Sequence, residues 1–262
     1  MSDTAPTAAA LDNGASETPE TELPKMSFLD HLEELRKRLI VSIIAIGVAF
    51  LACWKFADKI YAWIQAPLTK FLPPGDQKLA YTRLTEPFML YMKVAFFAAI
   101  FVASPILMWQ VWRFISPGLY KRERRYAAPF IIFASLFFIL GGYFGYRVML
   151  PGTCAFFVET GRQFKQVIKV DEYFSFASTI MLASGAVFET PILIFFLARL
   201  GIVTPAFLMQ KFKYAVVLAF IIAAIVTPTP DMVTQTFLAV PIIALYLLGV
   251  GVAYVFGKRH DA

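Results

Sequence analysis

Long apolar runs alternate with short polar stretches along most of this chain. The runs cover residues 39–64, 94–112, 126–150, 174–200, 214–226 and 232–256. Most of them reach the roughly 20 residues that an α-helix needs to cross a hydrocarbon layer of about 30 Å. The pattern therefore predicts an all-α membrane protein with six transmembrane helices.

Two of the predicted spans depart from the ordinary pattern. In the first, Lys55, Asp58 and Lys59 stand in the far half, so only the part up to Trp54 is expected to lie in lipid. The fifth has 13 residues, which at the helical rise reach only about 20 Å. It must therefore thin the bilayer, be shielded by neighbouring helices or line an aqueous dip.

Basic residues predict the orientation of the spans. Compact connections between spans, together with both flanks of the membrane region, carry clusters of lysine and arginine on one side. These residues are Arg36, Lys37, Arg38, Arg113, Lys121, Arg122, Arg124, Arg125, Arg199, Lys211, Lys213, Lys258 and Arg259. The longer loops on the other side, 65–87 and 151–173, hold scattered basic residues. By the positive-inside rule the clustered side is the cytoplasm, and both termini are expected there.

Composition narrows the class of protein. Hydrophobic residues make up 59% and charged residues 16%, which excludes an ordinary soluble domain. The net charge of +6 comes largely from the inner loops, and no basic run is interleaved with aromatic residues, so nucleic-acid binding is not expected. His31 and His260 stand alone, which argues against a metal site. Cys53 and Cys154 are interpreted as membrane-buried thiols, although a disulfide remains open at this point.

The ends of the chain are predicted to differ from its middle. Residues 1–24 lack apolar mass and a signal-peptide pattern, so we expect a disordered tail followed by an uncleaved first span. Residues 25–258 form the predicted membrane domain, and 259–262 a short C-terminal tail. No phosphate-binding loop or catalytic motif is present, so neither enzymatic activity nor a cofactor is expected.

Proline and glycine positions predict local geometry. Prolines within the spans, which are expected to kink them, are Pro105, Pro191 and Pro241. Pro67 and the pair at 73–74 are expected to break the first outer loop into short pieces. Gly141 and Gly145 lie four residues apart and would let the third helix pack closely against another.

Two glutamates stand inside basic clusters. Glu34 precedes the run Arg36–Arg38, and Glu123 lies within 121–125. An acidic residue weakens the topology signal around it, so this pair suggests a site for a cationic ligand on the inner face. Simpler interpretations are a helix surface charge paired with Arg38 at i+4 for Glu34, and a charged loop for Glu123.

Three further polar residues accompany the predicted spans. Glu189 is the acidic residue within the run 174–198, where a charge must be protonated, paired or facing water. Pro191 frees a carbonyl that a protonated Glu189 could bind, so the alternatives are an interhelical contact and a residue facing a transport cavity. Asp231 and Gln235 begin the sixth helix at its outer end, where capping explains the aspartate.

Several motifs are spread along the chain in a fixed order. They are residues 31–39 (HLEELRKRL), 66–68 (APL), 112–125 (WRFISPGLYKRERR), 188–191 (FETP) and 227–235 (TPTPDMVTQ). Together they resemble the TatC subunit of the twin-arginine protein translocase. The resemblance extends over roughly residues 26–258. It implies six helices in a cupped arrangement, with the last two spans short. It also implies a receptor for signal peptides with paired arginines, which nucleates export of folded proteins.

The same resemblance implies roles for individual residues and partners. The signal-recognition carboxylates of the family fall on Glu34 and Glu123. Other matching positions are Arg36, Phe114, Pro117 and Lys121 in the recognition region, Glu189 within the membrane, and Pro67, Asp231 and Gln235 on the outer side. Implied partners are TatA, TatB and further TatC copies in a bacterial inner membrane, with transport driven by the proton motive force.

A proton-coupled carrier for small molecules is the alternative function. In that interpretation Glu189 carries the proton, and the inner charges only set topology. The short fifth span and the lack of an internal repeat argue against it.

Overall fold

The computed structural model describes residues 28–72, 78–115, 127–227 and 231–256. Apart from one isolated bridge between Ala80 and Lys169, the regular structure within these ranges is helical. The predicted tails at 1–24 and 259–262 lie outside the described residues.

Ten α-helices and one π-helical segment make up the described part of the chain. In order they are α1 (Phe28–Trp54), α2 (Ala57–Thr69), α3 (Glu86–Ile115), α4 (Ala127–Phe144), the π segment (Gly145–Met149), α5 (Leu150–Thr160), α6 (Val170–Phe188), α7 (Thr190–Arg199), α8 (Pro205–Gln210), α9 (Phe212–Val226) and α10 (Met232–Phe256).

Among the described residues, five helical segments are long and apolar enough to cross a membrane, and a sixth apolar helix is shorter. The five are Leu29–Trp54, Glu86–Ile115, Ala128–Thr160, Val170–Arg199 and Met232–Val255. The shorter helix, α9, has 15 residues, a rise of about 22 Å. The sixth predicted span forms α10, which is 25 residues long. The expectation that both last spans are short is therefore wrong for α10, because its helix continues through Pro241.

The first predicted span forms two separate helices. α1 ends at Trp54 and α2 begins at Ala57, with a turn at Lys55 and Phe56 between them. At the other end α1 begins at Phe28, well before the apolar run. Ion pairs one turn apart help the polar part to stay helical, since Glu33 pairs with Lys37 at 2.8 Å.

Pro67 lies inside α2 rather than breaking the outer loop, which corrects the prediction from its sequence position. A proline has no N–H to donate to the carbonyl four residues earlier, here that of Trp63. The hydroxyl of Tyr146 donates to this carbonyl at 2.9 Å, and the hydroxyl of Tyr173 donates to the next one, on Ile64, at 2.8 Å. The Tyr146 hydroxyl thus replaces the donor that Pro67 lacks, and the two tyrosines together hold α2 against the bundle.

Small residues allow a close contact between two spans, as predicted for Gly141 and Gly145. α4 packs mainly against α6. A Cβ atom added at Gly141 would lie 2.5 Å from the backbone oxygen of Ser184, and one at Gly145 would lie 2.9 Å from its hydroxyl. Neither position has room for a side chain, so the glycines determine how near the two helices come.

The third span is longer than predicted. The helix continues from α4 through the π segment and α5 to Thr160, with Pro151 in the first turn of α5 directly after the π segment. The loop after it, predicted as 151–173, is therefore shorter. Two hydrogen bonds join the end of this loop to the loop that precedes α3: Ala80 N–H donates to the Ile168 carbonyl at 2.9 Å, and Val170 N–H donates to the Ala80 carbonyl at 2.9 Å.

Both cysteines are buried free thiols. Cys53 and Cys154 belong to the same large apolar core but form no disulfide. This outcome confirms their interpretation as buried thiols and excludes a disulfide between them.

Candidate functional site

Glu34 lies at the start of α1 on the face that packs against α3. Its Oε1 accepts a hydrogen bond from the guanidinium of Arg38 at 2.7 Å. The side chains are 14% and 21% exposed, respectively, so the pair is mostly enclosed. The i+4 pairing expected from the sequence is confirmed, but this carboxylate is far less exposed than an ordinary surface charge.

Phe114, near the end of α3, is brought to the same place. Its ring stacks on the imidazole of His31 with centroids 4.4 Å apart. His31 precedes Glu34 by three residues and therefore lies on the same helix face. Of the predicted recognition residues, the structure thus groups Glu34 with Phe114.

Arg36 lies apart from this group. It is exposed and follows Glu34 by two positions, a rotation of about 200° around an α-helix. Residues separated in this way do not share a face, so the sequence neighbourhood of Glu34 and Arg36 does not become a contact. The other predicted recognition residues, Pro117, Lys121 and Glu123, lie outside the described residues.

Buried polar atoms without a partner mark the same end of the α1–α3 contact. Within the described ranges, Oε2 of Glu34, Nε of Arg38 and Oε1 of Gln110 lack a hydrogen-bond partner. Gln110 is only 7% exposed. Sequence reasoning missed it, although a lone amide inside the apolar run 94–112 was a visible signal. Such atoms are uncommon in folded proteins and usually need a ligand, water or a moving group.

Glu189 occupies the junction between α6 and α7. The helix is interrupted there, and Pro191 sits in the first turn of α7. Oε1 of Glu189 is buried and has no hydrogen-bond partner among the described residues. The expected bond to a carbonyl freed by Pro191 is not seen, so the carboxyl group remains available to another group.

Asp231 and Gln235, which the sequence predicts at the outer side, lie at the start of α10. Asp231 accepts a hydrogen bond from the backbone N–H of Thr234 at 2.7 Å and another from its hydroxyl. This is the N-cap geometry expected for the start of α10. Gln235 follows one turn later and is half-buried.

An ion pair that the sequence did not predict lies on the side of the bundle that holds α2. Lys93, seven residues into α3, pairs with Asp171 at the start of α6 at 2.5 Å, and both side chains are about half exposed. This ion pair connects α3 to α6 close to the two hydrogen bonds between Ala80 and the segment 168–170. Within the described ranges no group of three His, Cys, Asp or Glu side chains is placed to hold a metal ion.

Comparisons with known proteins agree on one family. A family model described as Sec-independent protein translocase protein (TatC) matches residues 30–241. The protein of that name from Koribacter versatilis is 46% identical over 240 residues, which are 91% of this chain and 89% of the relative. The one from Helicobacter pylori strain J99 is 41% identical over 226 residues, or 85% and 87% of the two chains.

Solved structures show the same architecture. The crystal structure of the twin arginine translocase receptor TatC superposes with a TM-score of 0.76 at 35% identity, covering 86% of this chain and 98% of that one. A second structure of that receptor in DDM gives a TM-score of 0.77 at 34% identity, covering 87% and 100%. The helical fold and its apolar spans place this protein among the multi-spanning membrane subunits of protein translocases. The chain belongs to the TatC family, the Sec-independent protein translocase proteins.

Proposed function

We propose that this chain is the receptor for signal peptides with paired arginines and that Glu34 binds one of the two guanidinium groups. The observation that carries the proposal is the enclosed Glu34 carboxylate, whose Oε2 lacks a partner among the described residues. A carboxylate and a guanidinium form short, charge-assisted hydrogen bonds with a defined geometry. Membership of the family and a solved relative described as a receptor support this assignment.

Recognition of two adjacent arginines requires a second acceptor. Glu123 is the residue that we propose for it, with Arg36, Phe114, Pro117 and Lys121 as further parts of the recognition surface. The position of Phe114 supports this grouping, because its ring stacks on His31, which lies one helical turn before Glu34. The exposed basic residues repel a weakly matched cationic peptide, and this sharpens selection. Ion pairs made by exposed side chains contribute little free energy each, so we expect the enclosed Glu34 and the apolar part of the signal to supply most of the affinity.

The proposed orientation puts Glu34 and the basic clusters at the cytoplasmic side of a bacterial inner membrane, with both termini inside. The pair Asp231 and Gln235, together with Pro67, then lies at the outer side, where these residues stabilise the fold or contact partner subunits. The proposed partners are TatA, TatB and other TatC copies, and the proposed driving force is the proton motive force.

Glu189 has a separate proposed role in transport. Its buried Oε1 has no partner among the described residues, and it lies within the segment Val170–Arg199. A buried acceptor in a lipid-spanning segment is costly unless it meets a polar group during function. We assign it to a step after signal binding. The rival carrier function has no support from the comparisons, and we assign no catalytic reaction to the chain.

Site-specific crosslinking to a signal peptide tests the receptor assignment. We expect Glu34→Gln and Glu123→Gln to lose most of the crosslink. Glu33→Gln is the matched control, because Glu33 is 63% exposed and pairs with Lys37 on another face of α1. If both site variants keep the crosslink at the level of the control, the assignment is wrong.

The division of roles is tested with Glu189→Gln. We expect this variant to crosslink the signal normally and to export little cargo. Loss of the crosslink as complete as in Glu34→Gln would contradict a separate transport role.

A further inference from the structure

The contact between α1 and α3 consists of two facing rows of side chains. In the middle, Ala45 and Ala49 of α1 meet Ala99 and Ala103 of α3, with Leu107 beside them. At the end, His31 of α1 stacks on Phe114 of α3. The start of α1 therefore lies against the end of α3, and the two helices are antiparallel.

Gln110 occupies a fixed place in this contact. It follows Leu107 by three residues and precedes Phe114 by four, so it shares their face of α3. On α1, Glu34 and Arg38 lie between His31 and Ala45. The register therefore puts Gln110 at the level of the Glu34–Arg38 pair.

Two acceptors and one donor at this level lack partners in the described part of the chain. The acceptors are Oε2 of Glu34 and Oε1 of Gln110, and the donor is Nε of Arg38. Arg38 already occupies the other oxygen of Glu34. A carboxylate has about four lone-pair sites and accepts from two guanidinium groups at once. The register thus places two acceptors without partners, one on each helix, at the same level of the contact.

We propose that Gln110 is a second acceptor for the signal arginine that binds at Glu34, and that it favours arginine over lysine. A guanidinium is planar and presents donors in a rigid fork, which suits two acceptors on different helices. An ammonium is compact and more strongly hydrated, so it loses more on entry and bridges less well. Gln110 lies five residues from the end of α3 at Ile115, about 7.5 Å along the axis. A long side chain entering from that end therefore comes within reach of it. This inference rests on the proposed receptor function.

The experiment compares two peptides on each variant of the full chain in detergent. The peptides are identical signals with Arg-Arg or Lys-Lys, and their dissociation constants are measured by fluorescence anisotropy. Gln110→Met keeps the length and apolar stem but removes the amide. We expect it to weaken Arg-Arg binding about tenfold, which is the effect of losing one charge-assisted hydrogen bond. Lys-Lys binding should change much less.

A second variant guards against a merely structural effect. Gln110→Glu retains an acceptor, and we expect it to keep the discrimination between the peptides. Equal weakening of both peptides by Gln110→Met, or no weakening of either, would overturn the proposal and leave Gln110 as a packing residue. Failure of the receptor function is distinguishable, because the unmodified chain would then not prefer Arg-Arg over Lys-Lys and Glu34→Gln would weaken neither peptide.

Discussion

Replacing Tyr146 by phenylalanine should destabilise the bundle through a carbonyl on another helix. Tyr146 is buried, and its hydroxyl donates to the Trp63 carbonyl at 2.9 Å. Pro67 cannot supply the usual helical N–H to that carbonyl. Loss of the hydroxyl therefore leaves a carbonyl with neither donor, which costs about 1–3 kcal/mol. The stacking of the Tyr146 and Trp63 rings, with centroids 3.8 Å apart, is retained in the variant.

The effect should depend on Pro67. In Pro67→Ala, the backbone N–H at position 67 is available to the Trp63 carbonyl, so the tyrosine hydroxyl becomes partly redundant. We expect Tyr146→Phe to cost about 1 kcal/mol or less in that background. The two changes should therefore be non-additive, as is usual for groups that share one partner.

Denaturant unfolding in detergent micelles, followed by circular dichroism, measures all four proteins of this cycle. Tyr143→Phe is the control, since its side chain is about half exposed. An equal loss of stability from Tyr146→Phe in both backgrounds would refute the explanation, because the proline would then play no part in it.

Three further predictions concern other contacts. Gly141→Ala should lower the unfolding free energy by about 1–3 kcal/mol. Gly47→Ala is the control, because an added Cβ there meets nothing within 4 Å, and it should not lower that free energy. Similar thermal stabilities of the two variants would contradict the prediction. Asp231→Ala should cost about 1 kcal/mol and Asp231→Asn much less, in the same unfolding assay; equal losses would rule out the cap. Lys93→Met should change stability by under about 1 kcal/mol because its pair with Asp171 is half exposed, and a larger loss that persists at high salt would be inconsistent with a surface ion pair.

The sequence predicts those elements whose signals are local. α10 has the predicted bounds, Met232–Phe256, because Asp231 caps its start and a mostly apolar run without charged residues follows. The pairing of Glu34 with Arg38 also follows from i+4 spacing. Close packing at Gly141 is local in the same sense, since a missing side chain leaves room for a neighbour.

Other features depend on contacts between distant residues and could not be predicted in this way. The sequence predicts that Pro67 breaks a loop, because it does not show that the Tyr146 hydroxyl donates to the carbonyl that the proline leaves without a donor. Arg36 is close to Glu34 in the sequence, but in the helix the two side chains lie on different faces. The enclosure of Glu34 and the position of Gln110 both arise from the register of α1 on α3, which no single segment encodes.

The alanine contact between α1 and α3 leaves most of α1 facing away from the bundle. Most large side chains of α1 are exposed outside this contact, so the helix meets its neighbour largely along one line. The middle of that line consists of small residues such as Ala49 and Ala103, which let two helices approach closely. Glu34 lies near one end of it, and Trp54, whose ring meets Phe88 on α3, lies at the other. In a membrane the wide apolar face of α1 that this packing leaves uncovered must meet lipid or another apolar helix.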